Sequence, residues 1–223
     1  MLFPAKSYDF ATFRDANHYI GGEWVDGTPH GTLDVINPRH GQTICKVHMG
    51  GAEQVDAAVK SAKAAQKKWA QLPIRDRAYV FYNLRQKMYD NIEELSWLLS
   101  HENGKTFAES KAEVLKAIEC VEYGCSLPNL AAGSSLEVSR GVDCEMRYEP
   151  IGVVAGIVPF NFPVMVPLWM LPQALVAGNG FVMKPSEQVP LCMIRLIEMF
   201  EEAGLPKGLL NVVNGGREAV EAL

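Results

Sequence analysis

Apolar runs and polar breaks alternate regularly in the last third of the chain. Ile151–Val158 is a β-rich run that suits a strand buried on both faces, and "GFVMK" and "LLNVVNG" are typical of two further strands. Between them, Val164–Val176 and Leu191–Ala203 have helical length, and Gly204 and Pro206 end the second helix. Strands that alternate with crossover helices predict a parallel, doubly wound α/β sheet. Such a sheet binds ligands at the carboxyl ends of its strands.

The first part of the chain predicts short strands followed by helices. Glycine and proline turns separate β-rich segments in "YIGGEWVDG", "LDVINP" and "QTICKVHMG", which predicts small antiparallel pairs. Four stretches with near-helical spacing then predict helices, the first with Val55 and Trp69 on its apolar face. Asn103 and Gly104 are the stop signal of the third helix.

A strand-like alternation with a turn at Gly141 separates these two parts. Its polar composition predicts a projecting hairpin. The chain is therefore divided into residues 1–133, which carry the first strands and the helices, residues 134–149, which form the hairpin, and residues 150–223, which form the parallel α/β part.

Composition and charge remove several classes of function. The chain has 223 residues, of which 48% are hydrophobic, so it can bury a substantial core. The net charge is -5 and acidic and basic residues are interspersed, so the sequence predicts no basic surface that would bind nucleic acid or an anionic membrane. No charged residue lies between Glu149 and Lys184, but Pro159, Pro163, Pro167 and Pro172 would leave backbone groups unpaired in lipid. We therefore expect neither a nucleic-acid partner nor a membrane span.

The cysteines and the first residues indicate a cytoplasmic protein. The five cysteines are an odd number in a chain too large to need disulfides, and they form no CxxC pair. Residues 1–15 lack a basic segment before an apolar core, so no export signal is predicted. The five histidines are scattered along the chain, which predicts no metal site.

Two predicted strands end in residues that could carry chemistry, in "VPFNFP" and "MKPSEQ". Lys184 and Glu187 in the second segment could bind the hydroxyls of a ribose, the acid accepting hydrogen bonds and the ammonium donating them. The alternatives are an exposed ion pair of little energetic value and an ordinary helix cap formed by Ser186 and Glu187. The pattern alone does not decide between them.

Asn161, between two phenylalanines and two prolines, is equally open to two interpretations. Its amide could satisfy loose backbone groups at a strand end. Alternatively, its NH2 group could donate to an oxyanion that develops on a substrate. No GxGxxG fingerprint occurs in the chain, so any dinucleotide must be held in another way.

Several motifs occur in the order and spacing of the aldehyde dehydrogenase superfamily, which the chain resembles over nearly its whole length. They are "GGEW", "ENGK", "YEPIGVVAGIVPFNFP", "GNGFVMKPSEQVP" and "AGLPKGLLNVVNG". "PFNFP" with the following "PLWMLPQAL" most resembles the methylmalonate-semialdehyde dehydrogenase branch. The resemblance implies an aldehyde dehydrogenase-like α/β fold: an N-terminal helical region, an incomplete NAD-binding domain with a doubly wound parallel sheet, and an oligomerisation hairpin.

The resemblance also implies a reaction and the residues that serve it. In this family a cysteine thiolate attacks an aldehyde, hydride passes to NAD, and the thioester is released to water or coenzyme A. Asn161 would donate its amide to the oxyanion, a contribution on the order of 3 kcal/mol. A carboxylate at the adenosine ribose would repel a 2′-phosphate and so favour NAD over NADP. The implied coenzyme-binding residues are Val158, Phe160, Lys184, Ser186, Glu187 and Gln188.

Two residues depart from the usual pattern of the branch. Gln188 stands where arginine usually follows "KPSE", and Lys116 stands where an arginine can grip a substrate carboxylate. A lysine supplies the charge but not the bidentate fork. The resemblance to this branch implies methylmalonate or malonate semialdehyde as one hypothesis for the substrate. The two departures count against that hypothesis.

The printed sequence stops at Leu223, before the positions of the family's general-base glutamate and nucleophilic cysteine. None of the five cysteines has the sequence context of that nucleophile. We therefore expect the catalytic domain to be absent from this chain and the isolated chain to have weak or no dehydrogenase activity.

Two other classes of function remain open. A nucleotide-binding or interaction module without catalysis would keep the fold, although it would have no use for an oxyanion donor at Asn161. A structural protein would oligomerise tightly without affinity for a coenzyme. In complete family members the hairpin at residues 134–149 adds to a neighbouring subunit, so the resemblance implies a homo-oligomer, a dimer or tetramer, that acts on a small aldehyde.

Overall fold

The computed structural model describes residues 6–25 and 29–223. The predictions made for the first five residues and for the turn at 26–28 lie outside these ranges. The N-terminal part consists, in chain order, of β1 His18–Ile20, β2 Glu23–Val25, β3 Thr32–Asn37, β4 Gln42–His48, α1 Ala52–Trp69, α2 Ile74–Asp90, α3 Ile92–Asn103, α4 Phe107–Cys125 and α5 Leu127–Leu130. The remainder consists of β5 Ser134–Ser139, β6 Val142–Met146, β7 Val153–Ile157, α6 Met165–Val176, β8 Gly180–Lys184, α7 Leu191–Glu202, β9 Leu210–Val212 and α8 Arg217–Ala222.

The main sheet confirms the predicted parallel α/β class. It also contains the strand pair β1–β2, whose place in this sheet the sequence did not predict. Its strand order is β2-β1-β9-β8-β7, with β7, β8 and β9 parallel. The first strand pair joins this sheet because β1 runs antiparallel to β9, with Tyr19 opposite Val212. β1 and β2 therefore share one sheet with the parallel part of the chain, whereas β3 and β4 form a separate two-stranded sheet.

Both faces of β8, the middle one of the three parallel strands, are covered, as a doubly wound sheet requires. Val182 packs on one face against α1 and α8, in a cluster that also contains Val55, Ala62 and Ala219. Phe181, one residue earlier, belongs to the larger core on the other face. That larger core also contains residues of α6, α7, α2, α3 and α4. The period-two alternation of the strand thus separates two hydrophobic layers.

The strand at residues 151–158 is less buried than expected. β7 lies at the edge of the sheet, where Ile157 is 49% exposed, and Ile151 just before it is 87% exposed. Within the described residues β7 pairs only with β8, and α1 lies mainly over β8 and β9. The prediction of burial on both faces is therefore wrong for this strand.

The hairpin β5–β6 is confirmed, and all of its residues are exposed. Gly141 adopts a positive φ of 74° at its turn, the left-handed conformation that glycine tolerates best. Gly104 does the same after α3, as the stop signal predicted. Among the described residues, no helix combines the length and the apolar character needed to cross a membrane.

His18 fixes the junction between β1 and the segment after β9. It is fully buried, and its Nδ1 accepts a hydrogen bond of 3.1 Å from the backbone N–H of Asn214. Burial, with a smaller effect of the nearby His48, lowers the pKa of His18 to about 4. The neutral ring is therefore the form that the fold requires.

Replacing His18 with asparagine should remove a pH-dependent loss of stability. In the unfolded chain His18 binds a proton below pH 6.5, whereas in the folded chain it binds that proton only below about pH 4. The unfolding free energy of the wild type should therefore fall by about 3 kcal/mol over this range as the pH decreases. The asparagine Oδ1 can still accept from Asn214, but it does not titrate.

Urea denaturation of both proteins from about pH 4 to pH 7 would test this prediction. The difference in unfolding free energy, variant minus wild type, should increase as the pH falls. A difference that does not change with pH would contradict the assigned role of His18.

Candidate functional site

The two segments singled out by the sequence lie side by side at one edge of the sheet. The last residues of β7 and β8, Ile157 and Lys184, are register partners. The backbone N–H of Val158 donates to the carbonyl of Lys184 at 3.1 Å and extends the pairing by one residue. "VPFNFP" and "MKPSEQ" therefore open into one crevice at the carboxyl ends of parallel strands, where α/β sheets bind ligands.

Lys184 and Glu187 form a pair that is mostly buried. The Lys184 ammonium lies 2.9 Å from Glu187 Oε2, and the two side chains are 7% and 30% exposed. Burial acts to raise the pKa of Glu187, but hydrogen bonds from its own backbone N–H and from Lys184 lower it below its usual value. Glu187 is therefore ionised at neutral pH, and the alternative of an exposed ion pair does not describe this site.

Ser186 and Glu187 do not cap the next helix. α7 begins at Leu191, and its N-cap residue is Pro190. The Ser186 hydroxyl instead accepts from the backbone N–H of Gln188 at 3.3 Å, which closes the turn after β8. The interpretation of this step as an ordinary helix cap is therefore wrong.

The loop after β7 presents Asn161 to solvent. The Val158 side chain is buried in the core, whereas Phe160 is 54% exposed and Asn161 is exposed. The Asn161 carboxamide makes no hydrogen bond to any residue that the structure describes. It therefore does not satisfy loose backbone groups, and its NH2 group remains available as a donor.

Three residues that the sequence analysis did not assign to the site hold this loop in place. Asn103 Nδ2 donates to the Phe160 carbonyl at 2.8 Å, and Lys105 Nζ donates to the Asn161 carbonyl at 2.6 Å. Lys105 also pairs with Glu113, whose carboxylate is buried. Asn103 and Lys105 lie in "ENGK", which the sequence analysis used as a helix stop and as a family motif but not as part of the site, so the motif itself was the available signal.

Comparison with known proteins decides the family. The profile of the aldehyde dehydrogenase family matches residues 24–223. The chain belongs to the aldehyde dehydrogenase family. It is 46% identical over 207 residues to malonate-semialdehyde dehydrogenase 1 of Geobacillus kaustophilus (strain HTA426), covering 92% of this chain and 42% of that protein. It is 45% identical over 213 residues to malonate-semialdehyde dehydrogenase 2 of Bacillus anthracis, covering 95% and 44%.

Solved structures of aldehyde dehydrogenases share the fold. A methylmalonate-semialdehyde dehydrogenase from Oceanimonas doudoroffii is 38% identical with a TM-score of 0.91, over 96% of this chain and 43% of that one. A Sinorhizobium meliloti 1021 protein, assigned as a methylmalonate-semialdehyde dehydrogenase and solved with NAD, is 42% identical with a TM-score of 0.91, over 93% and 43%. This aldehyde dehydrogenase chain thus spans less than half the length of the relatives that it matches.

In this aldehyde dehydrogenase chain, buried carboxylates stabilise the first turns of both crossover helices. Glu113 Oε1 accepts from the backbone N–H groups of Val164 and Met165, at the start of α6. Glu102 accepts from Leu191 and Cys192 at the start of α7, at 2.7 and 2.9 Å. Carboxyl oxygens at a helix N-terminus accept from N–H groups that have no partner within the helix.

A cleft of about 300 Å³ joins the two strand ends to the N-terminal strands. Phe160 and Gln188, one from each predicted segment, lie on its wall together with Glu102. Burial raises the pKa of Glu102 to about 7, although the hydrogen bonds from Cys192 and Leu191 oppose the shift. The charge beside this cleft therefore depends on pH near neutrality.

The buried thiols of this chain are not activated for catalysis. Burial raises the pKa of Cys45 and Cys192, and it raises the pKa of Cys125 to about 11. Thiols with raised pKa values are protonated at neutral pH and are poor nucleophiles. The described part of the chain also contains no group of three or more His, Cys, Asp or Glu residues arranged to hold a metal ion.

Proposed function

We propose that this chain is the coenzyme-binding portion of an NAD-dependent aldehyde dehydrogenase, whose full-length form oxidises methylmalonate or malonate semialdehyde. One observation carries the proposal: the loop after β7 carries Asn161 as a free amide donor, and the turn after the adjacent parallel strand β8 carries the largely buried pair of Lys184 and Glu187. The names of the relatives in the malonate-semialdehyde dehydrogenase group support the substrate class. The nucleophile would come from the rest of the protein, since none of the buried thiols is activated.

The adenosine ribose of NAD would bind at Lys184 and Glu187. Glu187 Oε2 accepts from Lys184, and the carboxylate has further lone pairs that can accept from a ribose hydroxyl. Phe160, Ser186 and Gln188 would line the coenzyme, and Val158 would contribute through its backbone because its side chain is buried. A carboxylate at the ribose repels the 2′-phosphate of NADP, so NAD is the proposed coenzyme.

An acidic aldehyde needs a cation for its carboxylate, and Lys116 is the candidate raised by the sequence. Lys116 is exposed on α4 and pairs with Glu119 at 2.5 Å, which partly neutralises it. Its charge could still attract an anionic substrate, without the bidentate grip of an arginine. Water and coenzyme A are both retained as acyl acceptors in this proposal.

The full-length protein is proposed to be a cytoplasmic homo-oligomer, a dimer or tetramer. The β5–β6 hairpin supports this, because it exposes Leu136, Val138 and Val142 by more than half of their surface. Apolar residues on an uncovered hairpin favour association with another chain. Sedimentation of the full-length protein would test the oligomeric state.

Replacing Lys184 with methionine or Glu187 with glutamine should each weaken NAD binding by about tenfold or more. Each change removes a charge-assisted hydrogen bond, which contributes about 1.5–3 kcal/mol. Titration calorimetry of this chain with NAD and NADP would measure the effect. Glu187→Gln should also narrow the preference for NAD over NADP, because the repelling charge is lost.

A matched control is Lys60→Met, which breaks the exposed ion pair with Asp56 on α1. That variant should bind NAD as tightly as the wild type. If neither Lys184→Met nor Glu187→Gln changes the dissociation constant, the proposed ribose site is wrong. If the wild-type chain binds neither coenzyme, the coenzyme-binding function is wrong.

A further inference from the structure

The loop that carries Asn161 has little backbone support of its own. Within residues 159–163, the described backbone hydrogen bonds involve only the Phe162 carbonyl, which accepts from Val166. Two prolines stiffen the ends of this segment, but they donate no hydrogen bonds. The conformation of the peptide groups at Asn161 must therefore be fixed from outside the loop.

Side chains from the connection between α3 and α4 provide that support. Asn103 binds the carbonyl of Phe160, the peptide group before Asn161, and Lys105 binds the carbonyl of Asn161 itself. The Lys105 ammonium also lies 4.1 Å from the centre of the Phe162 ring, within cation–π range. Both peptide groups that flank the Asn161 Cα are thus anchored.

A single buried carboxylate links this anchor to the helix that follows. The side chain of Glu113 is 2% exposed and makes contacts through both oxygens. Oε2 pairs with Lys105, and Oε1 accepts from Val164 and Met165 at 3.0 and 3.2 Å. The position of the Lys105 ammonium is therefore tied to the first turn of α6, at the other end of the loop.

We propose that Lys105, held by Glu113, is a positioning residue that orients Asn161 for its role as oxyanion donor. The proposal rests on the proposed function, because only that function requires a fixed amide at this place. The two peptide planes that Asn103 and Lys105 hold fix the direction of the Asn161 Cα–Cβ bond, from which the carboxamide extends. A donor displaced by about 1 Å loses much of its effect on a transition state.

The test needs a variant that removes the anchor and still folds. Lys105→Met alone would leave the Glu113 charge buried without a partner, which is strongly destabilising. The double variant Lys105→Met/Glu113→Gln avoids this, because the glutamine Oε1 can still accept from Val164 and Met165. Lys105→Arg keeps the cation, and Lys60→Met/Asp56→Asn removes an exposed pair on α1 as a control.

Nitrogen-15 relaxation of this chain would measure the order of the loop. The backbone order parameters of Asn161 and Phe162 should be about 0.8 or higher in the wild type and in both comparison proteins. They should fall below about 0.6 in Lys105→Met/Glu113→Gln, while the helices α2 and α4 stay ordered. The NAD dissociation constant should change little among the four proteins, since Lys184 and Glu187 are unchanged and Asn103 still binds the carbonyl of Phe160.

Turnover by the full-length enzyme would separate positioning from simple structural support. The double variant should lower kcat by at least about tenfold with an unchanged KM for NAD, and Lys105→Arg should restore most of kcat. Unchanged loop order or an unchanged kcat in the double variant would overturn the proposal. Failure of the wild-type chain to bind NAD would instead overturn the proposed function, whatever the loop order shows.

Discussion

Asn161→Ala is expected to lower kcat of the proposed full-length enzyme by a factor on the order of 10² to 10³. The carboxamide is exposed at the end of β7 and makes no hydrogen bond to the described residues, so its NH2 group is free to donate. An oxyanion donor acts mainly in the transition state, and its loss therefore lowers kcat more than it raises KM. Steady-state kinetics with an aldehyde and NAD would measure both constants.

Two further variants sharpen this experiment. Asn161→Asp keeps the shape but replaces the donor with a negative charge, so its kcat should be no higher than that of Asn161→Ala. Asn129→Ala removes an exposed amide from the short helix α5 and should leave kcat unchanged. If Asn161→Ala turns over within about threefold of the wild type, Asn161 does not serve as the oxyanion donor.

Local sequence patterns predicted the part of the site that belongs to consecutive residues. The ends of β7 and β8 are marked by a change from apolar residues to segments with proline and polar residues, as at Lys184. Parallel pairing then places two such strand ends at the same edge of the sheet, so no long-range contact had to be known to predict that they meet. The resemblance to a family added roles for Asn161 and Glu187, and these roles still depend on the experiments proposed above.

The supporting residues could not be predicted in this way, because they act over long distances in sequence. Lys105 reaches a carbonyl 56 residues away, and Glu102 binds the start of α7 about 90 residues away. The motif "ENGK" marks both residues, but its local pattern does not indicate which distant groups they contact. The exposure of β7 at the edge of the sheet could not be predicted either. An apolar run indicates that a strand is buried, but it does not indicate the position of that strand in the sheet.

The same long-range contacts connect the stability of the helices to the geometry of the site. Glu113 stabilises the start of α6 and Glu102 the start of α7, and both helices follow the strands that carry the candidate residues. Both acids come from the helical N-terminal part of the chain. This part therefore does more than cover the parallel sheet, since it provides the carboxylates that hold the crossover helices beside the crevice.

Glu102→Gln is expected to remove a loss of stability that the wild type suffers as the pH rises. The folded-state pKa of Glu102 is raised by burial from 4.5 to about 7. Between these values the unfolded chain releases a proton that the folded chain retains, so the unfolding free energy decreases with increasing pH. The total decrease is about 3 kcal/mol, present as stability below pH 4.5 and lost once the pH exceeds about 7.

Urea denaturation of both proteins between about pH 4 and pH 8 would measure this change. The unfolding free energy of Glu102→Gln minus that of the wild type should rise by about 3 kcal/mol over the range. The glutamine also places an NH2 group near the N–H groups of Leu191 and Cys192, but this cost does not vary with pH. His18 titrates equally in both proteins, so its opposite effect cancels in the difference. A constant difference would mean that Glu102 stays ionised throughout and acts as a permanent negative cap on α7.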